Sequence, residues 1–158
     1  MIRVGHRLNM IGNDGFEIAL VDDVHSSVAY YNQVTLVRIP EAGDRRAARN
    51  MVWRSASNRH SLALRDISQK VLFGHIAQHH DILLAEGDFS GGGKFYWHRQ
   101  VSRAIEGGLH VSVYQQAARS FRMISTQRAL NDIQDQAWSG ASPEPLVALV
   151  SILSLDNR

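Results

Sequence analysis

Asp81-Ile-Leu-Leu-Ala-Glu86, Gly87-Asp-Phe-Ser-Gly-Gly-Gly93, Lys94 to Glu106 and Leu109-His-Val-Ser-Val-Tyr114 follow one another without a break. The first piece is a short apolar run and the second a glycine-rich turn. The third places Trp97, Val101, Ala104 and Ile105 on one helical face, and the fourth alternates. The stretch therefore reads strand, turn, helix, strand. Two strands joined by a helical crossover run parallel in one sheet, with a right-handed connection. Gly107-Gly108 stops the helix, since glycine takes left-handed geometry after a helix end without steric cost.

Working outward, the N-terminal half is rich in β-branched and aromatic residues at Ile2 to Leu8, Phe16 to Val21 and Tyr30 to Ile39. Gly12-Asn-Asp-Gly15 supplies a hairpin turn between the first two of these segments. Pro40 to Arg46 is a polar loop, followed by a short strand at Asn50 to Ser55. From Leu62 to about His79 the apolar spacing becomes helical, through Leu64, Ile67, Val71 and Leu72. After Tyr114 come a strand at Phe121 to Ile124 and a helix capped by Ser125 or Thr126, carrying Ala129, Leu130, Ile133 and Ala137 on one side. Leu146 to Leu153 closes the chain as a strand or short helix. These elements predict one α+β domain over 1–158, a mixed β-sheet with a β-rich N-terminal half and a central βαβ crossover.

The chain has 158 residues, 44% apolar and 20% charged, which suits one globular domain with its own core. Lysine and arginine total 17 against 15 acids, so the formal charge is only +2 and does not by itself indicate a nucleic-acid partner. Lys70 and Lys94 are the only lysines, leaving arginine, with its rigid planar fork, as the main cation. The chain has no cysteine, which excludes disulfides, thiolate catalysis and cysteine-ligated zinc. No run reaches the roughly 18 apolar residues of a membrane span, and the N-terminus lacks a signal pattern. A soluble, cytoplasmic protein is expected.

Chemistry is suggested chiefly at the glycine turn. Ser90, Gly91, Gly92, Gly93 and Lys94 at a helix start would present free backbone N–H groups to a phosphate. The spacing matches neither the P-loop nor the dinucleotide fingerprint, and a turn of this kind also serves close backbone packing alone. In its order of strand, glycine-rich turn, helix and strand, the region from Asp81 to Gln136 resembles the central element of GNAT-type N-acyltransferases. The leading Gln or Arg of that family's turn motif is absent here, and the long helix before Asp81 departs from its usual order. The resemblance implies a GNAT-like fold and acyl transfer from acetyl-CoA or another acyl-CoA to an amine. Ser90 to Lys94 would hold the pyrophosphate, and the acyl carrier would enter between the ends of the Asp81 and Leu109 strands. Glu86 or Asp88 would act as base, and Tyr114 as the acid that protonates the departing thiolate. Asp88 beside Lys94 reads more naturally as an ordinary solvated ion pair.

Three other readings stand beside this one. His75 and His79, one helical turn apart, could ligate an ion with Asp81, although histidines at a helix C-terminus are favoured there by the dipole alone, and no metal is assigned. Asp81, Glu86, Asp88 and Lys94 have the residue types of a magnesium-dependent nuclease but lack its acid-x-lysine spacing. Arg45, Arg46, Arg49 and Arg54, with Trp53, could contact phosphates and stack a base. A small non-enzymatic accessory protein of phage or plasmid type, binding a protein or nucleic acid, is the alternative to the transferase.

Overall fold

The computed structural model describes residues 2–8, 15–86, 93–116, 118–139 and 145–155. Alternating sequence lays down β1 (Ile2–Leu8), β2 (Gly15–Asp22), β3 (Ser27–Val37) and β4 (Ala47–Arg54). These four pair antiparallel in chain order. The expected first hairpin forms, with Leu8 opposite Phe16; most of its Gly12 to Gly15 turn lies outside the described residues. Next come α1 (Ile67–Leu72), β5 (Asp81–Ala85), α2 (Gly93–Glu106), β6 (His110–Gln115), β7 (Ser120–Ile124), α3 (Gln127–Ser139) and β8 (Val147–Ser151).

All eight strands join one mixed sheet in the order β1-β2-β3-β4-β5-β8-β6-β7. The central expectation needs a correction here. β5 and β6 are each antiparallel to β8, so they point the same way, but β8 lies between them and they are not a hydrogen-bonded pair. The closing apolar run, read as a strand or short helix, is thus an interior strand, consistent with its almost unbroken hydrophobic sequence Val147-Ala-Leu-Val150. Among the described residues, the one parallel contact in the sheet is β4 with β5, through Ala47↔Asp81, Ala48↔Ile82 and Arg49↔Leu83. Past those three pairs both strands continue unpaired with one another, so they form a fork at their C-terminal ends.

The long helix expected over Leu62 to His79 is broken. Asp66 adopts left-handed geometry at φ 57°, so α1 begins only at Ile67. It ends where the N–H groups of Phe73 and Gly74 both donate to the Gln69 carbonyl. A Cβ on Gly74 would stand 2.6 Å from the Lys70 carbonyl oxygen, so this exit requires glycine. The apolar period survives the break because Ile76 and Ala77 stay buried in a 3-10 turn before β5. The α3 start follows expectation, with the Ala129 amide donating to Thr126 Oγ1 at 3.1 Å.

The helices pack on one sheet face. Trp97 of α2 is fully buried there among Ile82, Leu84, Val111, Val150, Leu130 and Leu72, and its indole N–H donates to the Leu84 carbonyl at 2.8 Å. On the opposite face, a smaller cluster of Ala42, Ala47 and Leu149 lies under Ile39, Phe121 and Leu155. The N-terminal part of that face presents the cross-strand pairs Tyr31↔Trp53 and Gln33↔Met51, with Trp53 53% exposed.

The parallel contact is fastened by Arg45. Its Nε donates to Asp81 Oδ1 at 2.9 Å and its Nη2 to the Ala77 carbonyl at 3.0 Å, while the Asp81 amide donates to the Arg46 carbonyl. Asp81 is fully buried, so removing the guanidinium takes a charge-assisted bond from an interior carboxylate. Arg45→Ala is expected to destabilise the fold by about 1.5–3 kcal/mol. Chemical denaturation checks this, and a loss below 1 kcal/mol would show that the pair does not hold the junction.

Candidate functional site

Four arginines converge just beyond the C-terminal end of β4. Arg54 is the last residue of that strand, Arg65 and Asp66 come from the turn entering α1, and Ser68 from its first turn. Tyr96, Arg99, Gln100 and Arg103 recur along one side of α2. Together with Leu64 and Ile67 they line a cleft of about 120 Å³. Four guanidinium groups face a single carboxylate, and this carboxylate, Asp66, is paired with Arg103 at 3.3 Å. Arg54 Nη2 donates to the Leu64 carbonyl at 3.1 Å, which fixes one wall. Arg65 and Arg99 are exposed at the rim and have no ion pair among the described residues.

The cleft floor is polar. The Tyr96 hydroxyl donates to Ser68 Oγ at 3.1 Å, and burial raises the Tyr96 pKa despite that bond and the nearby Arg54 and Arg99. Gln100 is 2% exposed, and its Oε1 has no hydrogen-bond partner among the described residues. A buried acceptor left without a donor is costly, so it marks a place where a ligand or water completes the site. From the cleft, buried polar groups continue along the sheet. Tyr30 stands opposite Arg54, and Asn32 Nδ2 donates to Asn50 Oδ1 at 2.9 Å. Asn50 in turn donates to the Ala48 carbonyl, at the position where β4 and β5 part. Burial raises the Tyr30 hydroxyl's pKa far above its ordinary value, so that group stays protonated.

Of the residues expected to carry chemistry, Asp88, Ser90, Gly91 and Gly92 lie outside the described residues. Gly93 and Lys94 open α2. Glu86 is buried directly after β5, with its amide donating to the Leu146 carbonyl. Tyr114 does not join it. Its ring packs edge-on against Phe121 at 5.3 Å, toward the smaller cluster, and β8 separates its strand from β5. The gap expected between the ends of β5 and β6 is likewise filled by β8, and the open fork lies between β4 and β5 instead.

The arginine group does not form one surface. Arg45 is held by Asp81, and Arg49 and Arg54 alternate to opposite faces of β4. His75 and His79 flank the 3-10 turn and do not share a helix, with their rings edge-on at 6.4 Å. Among the described residues, no group of three or more histidines and acids is placed to hold a metal ion. His80, beside Phe16, has its pKa lowered, chiefly by burial and then by Arg45. No helix among the described residues is long and apolar enough to cross a membrane.

A second polar cluster was not apparent in the sequence. His60, 1% exposed, reaches Ser55 Oγ through Nδ1 at 2.7 Å and Asp22 Oδ2 through Nε2 at 3.1 Å. His25 Nδ1 donates to the same Asp22 oxygen at 2.9 Å, and the Val24 and His25 amides donate to Oδ1. Ser55 and His60 share one loop, but Asp22 lies 38 positions upstream on another strand, so no local pattern announces the group.

No protein-family model, curated protein or solved structure matches the chain.

Burial alone would raise the Asp22 carboxyl, but hydrogen bonds from His25 and His60 outweigh it and hold the pKa at about 2. A carboxylate with a depressed folded-state pKa stabilises the fold above its unfolded value of about 4 and loses that contribution as the pH falls toward the folded one. Acid unfolding should therefore show a component between about pH 4 and 2 that is missing in Asp22→Asn. Parallel titrations followed by circular dichroism check this; identical acid limbs would rule it out.

Proposed function

We propose that the arginine cleft binds the phosphates of an acyl-coenzyme A and that the protein transfers the acyl group to an amine at the β4/β5 fork. The observation that supports this is the position of the cleft. In open sheets containing parallel strands, ligands bind beyond the carboxyl ends of those strands. The parallel strands here are β4 and β5, with Arg54 at the C-terminal end of β4. Arginine forks match phosphate oxygens in bidentate fashion, and a wall carrying four of them selects an anion of more than one charge.

In this reading the role first given to Ser90 to Lys94 passes to Arg54, Arg65, Arg99 and Arg103. The acyl arm would run along the polar line from Tyr30 to Asn50 toward the fork. An amine nitrogen attacks the thioester carbonyl, the C–S bond breaks as the C–N bond forms, and the thiolate leaves to be protonated. Glu86, buried at the end of β5, would take the amine proton. The rival reading, an interaction protein without catalytic activity, draws support from the exposed Met51 and Trp53 beside half-buried Tyr31.

Thermal unfolding with and without acetyl-coenzyme A separates the two. A ligand bound only by the folded form adds about 2.7 kcal/mol at a hundredfold excess over its dissociation constant. The shift should shrink markedly in Arg65→Ala and Arg99→Ala, which remove rim charges without emptying the core, and inorganic pyrophosphate should compete. No shift at millimolar ligand would remove the transferase reading and leave the interaction protein ahead.

A further inference from the structure

Ser55 is held in a setting unlike that of an ordinary loop serine. At β3 the register shifts between Leu20 and Val21, so Ala29 is the extra residue of a bulge, and its carbonyl accepts the Ser55 amide at 2.8 Å. Bulges re-aim side chains in this way near functional sites. The Ser57 amide donates to Ser55 Oγ at 3.1 Å, which leaves the hydroxyl proton to be given elsewhere.

With the ring neutral, its hydrogen-bond partners place that proton; Ser27 Oγ also stands 3.4 Å from His60 Nε2. The Asp22 carboxylate only accepts, so His60 Nε2 must carry the proton of their 3.1 Å contact. In the neutral ring, Nδ1 is then an acceptor, and the 2.7 Å partner that donates to it is Ser55 Oγ. Carboxylate, imidazole and hydroxyl thus stand in the order that lets the ring withdraw the hydroxyl proton while the carboxylate holds the tautomer. Asp22 is itself fixed by His25 and by two backbone amides, and His60 is buried. Ser55 itself remains partly exposed.

We propose that Ser55 is a nucleophile activated by His60, with Asp22 as the positioning residue, and that it hydrolyses small acyl esters or thioesters. Ser55 Oγ bonds to the carbonyl carbon as its proton passes to His60 Nδ1. The C–O or C–S bond to the leaving group breaks, and the leaving alcohol or thiol takes that proton. Water then attacks the acyl-serine and gives a proton to Nδ1, which returns it to Ser55 Oγ as the acid departs. None of these residues lines the arginine cleft, so this activity stands or falls separately from acyl-coenzyme A binding.

The test is incubation of the full chain with a fluorophosphonate probe, followed by intact mass and peptide mapping. One adduct on Ser55 is expected, absent in Ser55→Ala, a variant that keeps the His60 and Asp22 contact and should retain the native melting profile. His60→Gln should slow adduct formation at least a hundredfold. Asp22→Asn should slow it too and, in ¹⁵N spectra of the ring, move the His60 proton off Nε2, a change that loss of packing alone would not produce. p-Nitrophenyl acetate should be turned over by the wild type and not by Ser55→Ala. If either histidine or aspartate variant fails to fold, the wild-type adduct map still decides. No adduct on Ser55, or equal labelling of Ser55→Ala, would overturn the proposal.

Discussion

The pairing of Arg45 with Asp81 is the constraint on which the rest of the architecture rests. The sheet is two antiparallel pieces, β1 to β4 on one side and β5, β8, β6 and β7 on the other, joined through only three parallel residue pairs. A contact that short supplies few backbone hydrogen bonds, and parallel pairing is the weaker kind per residue. The guanidinium adds a charge-assisted bond to the first residue of β5 and a second bond to the Ala77 carbonyl just before it. Ala47 and Ala48 let the strands approach under this clamp, and both are buried. Beyond Arg49 and Leu83 the strands are no longer paired, and the fork exists because the clamp lies at one end only.

What collects at the other end follows from chain direction. β4 delivers Arg54 and Ser55 in succession. Arg54 contributes to the cleft beside α2, while Ser55 is bonded to the carbonyl of the β3 bulge. The loop that follows serves both places, with His60 returning to Asp22 and Arg65 and Asp66 lining the cleft. Two chemically different groupings therefore draw residues from one stretch, 54–66, positioned by a rigid sheet beneath it.

The sequence made the local elements legible and the long-range ones much less so. Alternation in Phe16 to Val21 and the spacing of Trp97, Val101 and Ala104 report burial directly, and those strands and that helix stand where the pattern puts them. The apolar spacing across Leu64 to Ile76 misleads, because left-handed Asp66 and the exit at Gly74 break the helix while every apolar residue still reaches the core. Val147 to Val150 carries no mark of which strands it will separate, since an unbroken apolar run is symmetrical about its pairing. Along α2, Tyr96, Arg99, Gln100 and Arg103 are visible at helical spacing. Their convergence with Arg54 and Arg65 is a tertiary fact, as is the meeting of Asp22 with His60.

The insertion of β8 between β5 and β6 bears on how the chain is made. Among the described residues, β6 and β7 form a hairpin whose one other strand neighbour is β8, the last of the eight strands in chain order. While a nascent chain is still short of Val147, the hairpin has no strand to join, and the free edges of β5 and β6 both carry unsatisfied backbone groups. The sheet closes only when residues 147–151 clear the ribosome and fill the slot from both sides. Chains that lack residues 147–151 should expose sticky strand edges to chaperones.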